Sequence, residues 1–202
     1  MRKAIVFAGV AAVAAGCAGM GGEMAYREQA VGIMKRDFHA RGMATVDRLN
    51  QDELQRVCTQ YNNKPPADVE KRLEAAQLAA IKAPADGKYM GDWKRGQRIA
   101  SSGRGMTWSD KPGAAGGSCY NCHQLSPQQP SFGTIGPSLR GFGKTRGYTA
   151  EMQKYAYERI YNSKAFSLCS TMPRFGHSGT LNEQQIKDVV AYLMDPASPV
   201  NR

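Results

Sequence analysis

Cysteine and histidine side chains stand together in one short stretch of this chain, Cys119-Tyr120-Asn121-Cys122-His123. Two thiols two residues apart, followed at once by an imidazole, form the pattern C-x-x-C-H. In that pattern the thiols form thioethers with the two vinyl groups of a porphyrin, and the adjacent histidine binds the iron from one face. The sequence therefore predicts one covalently attached haem c, held by Cys119 and Cys122, with His123 as an axial ligand.

Three other uses of a cysteine pair fit the sequence less well. A thioredoxin-like pair would stand beside a βαβ pattern, and no alternating strand pattern of useful length occurs. A plain disulfide would leave the Gly- and Pro-rich stretch 103–147 with nothing to fill its interior. A structural zinc site needs a second pair of ligands at short spacing. The residues that could supply one are isolated along the chain: Cys58, Cys169, His39 and His177.

The beginning of the chain, residues 1–16, has the composition of an export signal. It opens on a basic tripeptide, and the apolar run that follows is shorter than the ~20 residues that span a bilayer as a helix. The run closes on Ala14-Ala15-Gly16-Cys17, which resembles a bacterial lipoprotein processing site. Either Cys17 is acylated as the first residue of the mature chain, or cleavage nearby discards it. Both outcomes predict a periplasmic protein, in a compartment where disulfides persist.

A Pro/Gly turn cluster at 83–87 divides the rest of the sequence into an N-terminal helical extension, 17–88, and a domain, 89–202. The formal net charge of the whole chain is +10, of which the extension carries +1 and the domain +7. The basic residues of the domain are scattered rather than interleaved with aromatic residues along a stripe, which argues against nucleic acid as a partner. The positive surface either steers an acidic protein partner or keeps the protein soluble.

Hydrophobic periodicity predicts an all-α fold. In the extension we expect three helices that are too poor in large apolar residues to form a core alone: 26–41, one that starts at a capping box of Asn50 and Glu53, and 66–82. In the domain we expect three more: 92–102, 149–161, and one that runs from a capping box of Thr180 and Glu183 to Met194.

Over residues 89–196 the sequence resembles the class I cytochromes c. The likeness consists of a helix before C-x-x-C-H, then the stretch 135–139, a Met-Pro loop at Met172 and a final helix. This resemblance implies that Pro137 offers its carbonyl to the ring of His123, which would fix the orientation of the imidazole. It also implies that Met172 is the second axial ligand of the iron. A His/Met pair occupies both axial positions, which suits an electron carrier and leaves no open site for O₂.

Other side chains of the domain compete with Met172 in principle. His177 is the rival ligand, although a surface or hydrogen-bonding role suits it better. Three further methionines are expected to be core residues: Met106, Met152 and Met194, the last because it continues the apolar face of the final helix.

Cys58 and Cys169 remain when the haem pair and Cys17 are set aside. In an oxidising compartment, a disulfide between them is the favoured hypothesis. It would close a loop of 111 residues and fasten the extension to the loop that carries Met172. The alternatives are a buried free Cys58 and an exposed Cys169 that pairs or reacts with another protein.

Three local sequences further resemble the SoxX family, the monohaem subunits of the SoxAX complexes of bacterial sulfur oxidation: 117–123, 135–139 and 169–176. The resemblance implies a heterodimer with SoxA, which carries the reactive cysteine, so that this chain would supply no catalytic residue. The pair would act as an L-cysteine S-thiosulfotransferase that couples thiosulfate oxidatively to a cysteine of the carrier SoxYZ. This subunit would accept the electrons released and pass them to a soluble cytochrome c.

Two other functions stay open at this point. One is a generic periplasmic electron-shuttling cytochrome c, or the cytochrome subunit of another dehydrogenase, and a shuttle would be monomeric. The other is a lipid-anchored haem protein with a structural or sensing role, and a sensor would bind CO at an open axial site.

Overall fold

The computed structural model describes residues 19–105, 107–111 and 116–202, with side chains from residue 25 onward. The predicted export signal, Cys17 and Met106 lie outside the described residues. The chain divides into two compact units, one ending at His39 and the other comprising Ala40–Arg202. The first unit contains helix α1 (Gly19–Asp37), whose described side chains are almost all exposed.

The described residues of the second unit contain six helices: α2 (Glu53–Gln60), α3 (Ala67–Ala79), α4 (Trp93–Ser101), α5 (Phe142–Arg146), α6 (Ala150–Tyr161) and α7 (Glu183–Met194). The same described residues form four short 3-10 turns: Val46–Leu49 before α2, Cys119–Asn121 between α4 and α5, Ser163–Ala165 between α6 and α7, and Pro199–Asn201 after α7. The part of the chain that the structure describes contains no strand beyond an isolated bridge between Arg41 and Ala44. The predicted all-α fold is confirmed. No helix within the described ranges is long and apolar enough to span a membrane.

Helix α7 begins at a different cap from the predicted pair, Thr180 with Glu183. The side chain of Asn182 accepts a hydrogen bond from the backbone N–H of Gln185 at 2.9 Å, and the Gln185 side chain accepts one from the backbone of Asn182 at 2.8 Å. This register is favoured because Leu181, immediately before the cap, is then buried and can pack against the first turn.

Helix α2 also starts two residues later than its predicted capping box of Asn50 and Glu53. Asp52 and Gln55 form the box that the structure shows. Asn50 is unavailable as a cap because it ends the preceding 3-10 turn, where its backbone N–H donates to the carbonyl of Asp47 at 2.9 Å.

The larger hydrophobic cluster, called the main cluster here, is closed by the crossing of α4 and α7. The two helices approach so closely that a Cβ on Gly96 would lie 1.9 Å from the carbonyl oxygen of Asp188. The buried carboxylate of Asp188 accepts hydrogen bonds from Arg95 at 2.7 and 2.9 Å and from the backbone of Asp92 at 2.9 Å, which ties α7 to α4. The buried members of the main cluster are Ala100, Leu125, Ala156, Tyr157, Ile160, Phe175, Leu181, Ile186, Val189, Val190, Tyr192, Leu193, Met194 and Val200.

A smaller group, called the second cluster, lies between α2, α3 and the loop after α6. Its buried members are Leu54, Cys58, Leu73 and Leu168, with Val57, Val69 and Cys169 packed against them. Because α2 and α3 have few large apolar side chains, they complete their core with two residues from the domain. This agrees with the expectation that the extension helices cannot form a core alone.

Candidate haem-binding site

The C-x-x-C-H stretch folds into a tight turn that brings its three reactive groups together. The carbonyl of Cys119 accepts hydrogen bonds from the backbone N–H groups of Cys122 at 3.1 Å and His123 at 2.9 Å. Ser118, just before the turn, adopts a left-handed conformation with φ of 47°. Both thiols are unbonded and half-buried, so they remain free to form thioethers.

Cys119 lies against the backbone of Gly117, where a Cβ would approach its Sγ to 2.8 Å. Burial raises the pKa of the Cys119 thiol to about 12, because the thiolate would lose its hydration. Cys119 is therefore protonated at neutral pH.

The imidazole of His123 is held by the backbone of the segment after the turn. Its Nδ1 lies 2.7 Å from the carbonyl oxygen of Pro137, and because a carbonyl only accepts, Nδ1 carries the proton. The lone pair of Nε2 is left available for a metal. Gly136 lies under the ring, where a Cβ would be 2.2 Å from Cε1, and its N–H donates to the carbonyl of Cys122 at 2.8 Å. Only glycine leaves room for the ring in this position.

Met172 lies in the segment 162–174, called the ligand loop here. Its side chain is half-buried and packs against the main cluster. The backbone around it is fixed on both sides, since its N–H donates to the hydroxyl of Ser170 at 3.1 Å and its carbonyl accepts from the hydroxyl of Ser163 at 2.6 Å. The structure thus orders the segment that carries the predicted thioether ligand.

The side chains that compete with Met172 as the iron ligand lie either in the core or at the surface. Met194 is 1% exposed within the main cluster, and Met152 packs against the same cluster. His177 is exposed, and its pKa is lowered by desolvation and by the neighbouring charge of Arg174, with Asp52 acting in the opposite direction. These observations favour core roles for the two methionines and a surface role for His177.

Cys58 and Cys169 form a disulfide in the structure, with their Cα atoms 5.5 Å apart. The bond joins α2 to the ligand loop three residues before Met172. Cys17, the remaining cysteine, lies outside the described residues.

Sequence reasoning missed three further contacts between the extension and the ligand loop. The carboxylate of Glu74 accepts a hydrogen bond from the backbone of Leu168 at 3.0 Å. Gln77 accepts one from the buried side chain of Asn162 at 3.0 Å. The third is an ion pair between Asp52 and Arg174, 2.5 Å apart. The partners are separated by 85 to 122 residues, so no local pattern indicates these pairings.

These residues fit the haem that the motif implies. Two free thiols stand at the spacing that porphyrin attachment requires, and the imidazole beside them has one nitrogen fixed and the other available. A half-buried thioether adjoins the same hydrophobic core. Cys119, Cys122, His123, Pro137 and Met172 would hold the group.

Comparison with known proteins agrees with this fit. Residues 114–195 match the Cytochrome c family. These residues form a cytochrome c domain. A domain of this family implies a covalently bound haem c.

Two known proteins are similar to this cytochrome. An uncharacterized lipoprotein of Aquifex aeolicus (strain VF5) is 40% identical over 155 residues, which cover 75% of this chain and 73% of the relative, so the two belong to one family. A chain in the crystal structure of SoxXA from P. pantotrophus is 28% identical. That match covers 58% of this cytochrome and 90% of the other chain, with a TM-score of 0.41.

Proposed function

We propose that this cytochrome is the electron-transfer subunit of a SoxAX-type complex. It would accept the electrons released when thiosulfate is oxidatively coupled to a cysteine of the carrier SoxYZ, and pass them to a soluble cytochrome c. The observation that carries the electron-transfer role is the fixed imidazole of His123, whose Nδ1 donates to Pro137 and leaves Nε2 for iron. The sulfur-oxidation assignment is supported by the resemblance of the stretches 117–123, 135–139 and 169–176 to the SoxX family.

His123 and Met172 would bind the haem iron in the proposed site. The group would supply one-electron redox chemistry, at a higher potential than with two histidine ligands. Pro137 orients the imidazole and raises its basicity as a ligand. The ligand loop holds Met172 through its backbone on both sides. Two protein ligands would leave no open position on the iron, which would suit electron transfer rather than binding of O₂ or CO.

The sulfur chemistry belongs to the partner in this proposal. A thiol of SoxYZ and thiosulfate together lose two electrons and a proton as the new S–S bond forms at the reactive cysteine of SoxA. This chain contributes an acceptor for those electrons, one at a time, and no catalytic residue. It is therefore the non-catalytic subunit of a heterodimeric L-cysteine S-thiosulfotransferase.

The proposed location is the periplasm, with Cys17 as an acylated N-terminus that anchors the protein. The relative from Aquifex aeolicus is a lipoprotein, which supports lipidation of this chain at the matching processing pattern.

Coexpression with SoxA in a host that matures c-type cytochromes tests the proposal. We expect a stable 1:1 complex and thiosulfate-dependent reduction of its haem when SoxYZ is added. Met172→Ala should retain covalent haem, as measured by the pyridine haemochrome spectrum, but lose the band of methionine-ligated ferric iron and transfer electrons more slowly. A monomeric product that stays oxidised in the presence of SoxA, SoxYZ and thiosulfate would instead indicate an electron shuttle of another pathway.

A further inference from the structure

We propose that the N-terminal extension is a clamp that positions the thioether of Met172. The clamp consists of four residues of α2, α3 and the α2 cap, namely Asp52, Cys58, Glu74 and Gln77, together with the second cluster. This inference rests on the proposed role of Met172 as an axial ligand, and assigns to the extension a function in ligation that goes beyond covering the domain.

The clamp contacts are distributed along the whole ligand loop. Gln77 binds the side chain of Asn162 at the start of the loop, Glu74 binds the backbone of Leu168 in its middle, and Cys58 is bonded to Cys169. Asp52 pairs with Arg174, two residues beyond Met172. Because contacts flank the methionine on both sides, the loop cannot swing outward without breaking several of them at once.

Leu168 and Met172 anchor the loop in two different cores. Leu168 is fully buried in the second cluster, among Leu54 and Leu73 of the extension. Met172, four residues later, packs against the main cluster. The distance between these two anchors along the chain is too short for one to move freely while the other stays in place. The extension therefore restrains the thioether although none of its residues needs to touch iron.

The contact with Glu74 is suited to this positioning role. A carboxylate that accepts from a backbone N–H makes a stronger hydrogen bond than a neutral acceptor does, and it acts on the main chain rather than on a mobile side chain. Glu74 lies next to Leu73 in α3, so the polar contact and the apolar one hold the same point of the loop. A ligand has to be held to within about 0.5 Å of its productive position, which requires such a supporting shell.

The test measures how readily Met172 leaves the iron in the full-length ferric protein. Exogenous imidazole replaces a methionine ligand only when the loop opens, and the loss of the thioether–iron(III) absorption band at the red edge of the visible spectrum reports the exchange. Leu168→Ala removes the buried anchor. We expect the equilibrium constant for loop opening, and with it the apparent affinity for imidazole, to increase roughly thirtyfold or more. Glu74→Ala should increase it roughly fivefold to tenfold, while Glu74→Gln, which keeps an acceptor for the Leu168 N–H, should stay within about threefold of wild type.

Two control variants separate the clamp from general destabilisation. Ile186→Ala removes as many carbon atoms as Leu168→Ala, but from the main cluster at α7. Lys71→Ala changes an exposed side chain of α3. Neither should accelerate imidazole binding as Leu168→Ala does. If Leu168→Ala and Ile186→Ala bind imidazole equally fast, or Glu74→Ala matches wild type, the clamp is overturned.

Met172→Ala distinguishes failure of the clamp from failure of the proposed axial ligand. Loss of the thioether band in this variant supports the assignment on which the clamp rests. A band that survives in Met172→Ala overturns that assignment and the clamp together. A band that disappears in Met172→Ala but responds to no extension variant overturns the clamp alone.

Discussion

The main cluster and the second cluster each form a stable core, but they are stabilised in different ways. The main cluster is closed by two helices that cross in contact through Gly96, with many fully buried side chains around them. The second cluster has four buried residues, one of which is itself half of a disulfide. Small cores bury too little apolar area to be stable alone, and secreted proteins commonly supplement them with a cross-link. The ligand loop lies between the two clusters and takes one anchor from each.

The two clusters support different parts of the proposed haem site. The main cluster holds the C-x-x-C-H turn and the final helix, so its loss should remove the haem site. The second cluster contacts the ligand loop but none of its members lies in the C-x-x-C-H motif. Weakening it should therefore leave the attached haem in place and change the behaviour of Met172.

The largest effect is expected for Gly96→Val. A Cβ at this position would meet the backbone of Asp188 at 1.9 Å, and a backbone atom cannot rotate away, so α4 and α7 have to separate. We expect the variant to lose cooperative unfolding, as measured by circular dichroism during thermal denaturation. Gly32→Val in α1 is the matched control, because nothing lies within 4 Å of its added carbon, and it should change stability by less than about 1 kcal/mol. Similar melting curves for the two variants would contradict the close crossing.

Removal of the disulfide by Cys58→Ala with Cys169→Ala should have the next largest effect. The bond closes a loop of 111 residues, for which cross-linking contributes between about 2 and 5 kcal/mol to the free energy of unfolding. Hydrogen exchange should show loss of protection in α2 and α3, while α4 and α7 keep theirs. Equal loss of protection in all four helices would show that the two clusters unfold as one unit.

A smaller effect is expected for Asp188→Asn at the crossing of α4 and α7, beside the main cluster. Desolvation works to raise the pKa of Asp188, but hydrogen bonds from Arg95, Asp92 and Gln184 outweigh it and hold the pKa below its usual value. Such a carboxyl stabilises the fold above its unfolded pKa of about 3.9, and this stabilisation is lost as pH falls through the folded pKa. Asp188→Asn should lower the free energy of unfolding by about 2 kcal/mol at pH 7. It should also make that free energy depend less on pH below about 4.

Asp52→Asn, at the N-terminal cap of α2 beside the second cluster, is the matching substitution. Its pKa is also lowered, with desolvation opposed by hydrogen bonds from Gln55 and Arg174, but its side chain is 40% exposed whereas that of Asp188 is 3% exposed. Solvent screening weakens such an ion pair. We therefore expect Asp52→Asn to lower the free energy of unfolding by less than about 1 kcal/mol, as measured by urea denaturation at pH 7. A cost equal to that of Asp188→Asn would contradict the ranking by burial.

Much of the fold follows from local pattern. The helical stretches around Cys58, Leu73 and Ile186 appear in the sequence as apolar residues at helical spacing, although α7 is buried on every side from Ile186 to Met194. Their first residues could not be predicted as well. Several polar residues near each start can act as caps, and the choice depended on the burial of Leu181 at α7 and on the 3-10 turn that ends at Asn50 before α2.

What the sequence determined by itself is the chemistry. C-x-x-C-H is a contiguous pattern in which covalent spacing alone places two thiols beside an imidazole, so Cys119, Cys122 and His123 could be identified without coordinates. The family resemblance also indicated Pro137, and the two remaining cysteines suggested their disulfide. Only the tertiary structure showed the other contacts that hold the ligand loop: Glu74 with Leu168, Gln77 with Asn162, and Asp52 with Arg174. These pairings depend on how helices pack across long stretches of chain, and no spacing along the sequence encodes such a distance.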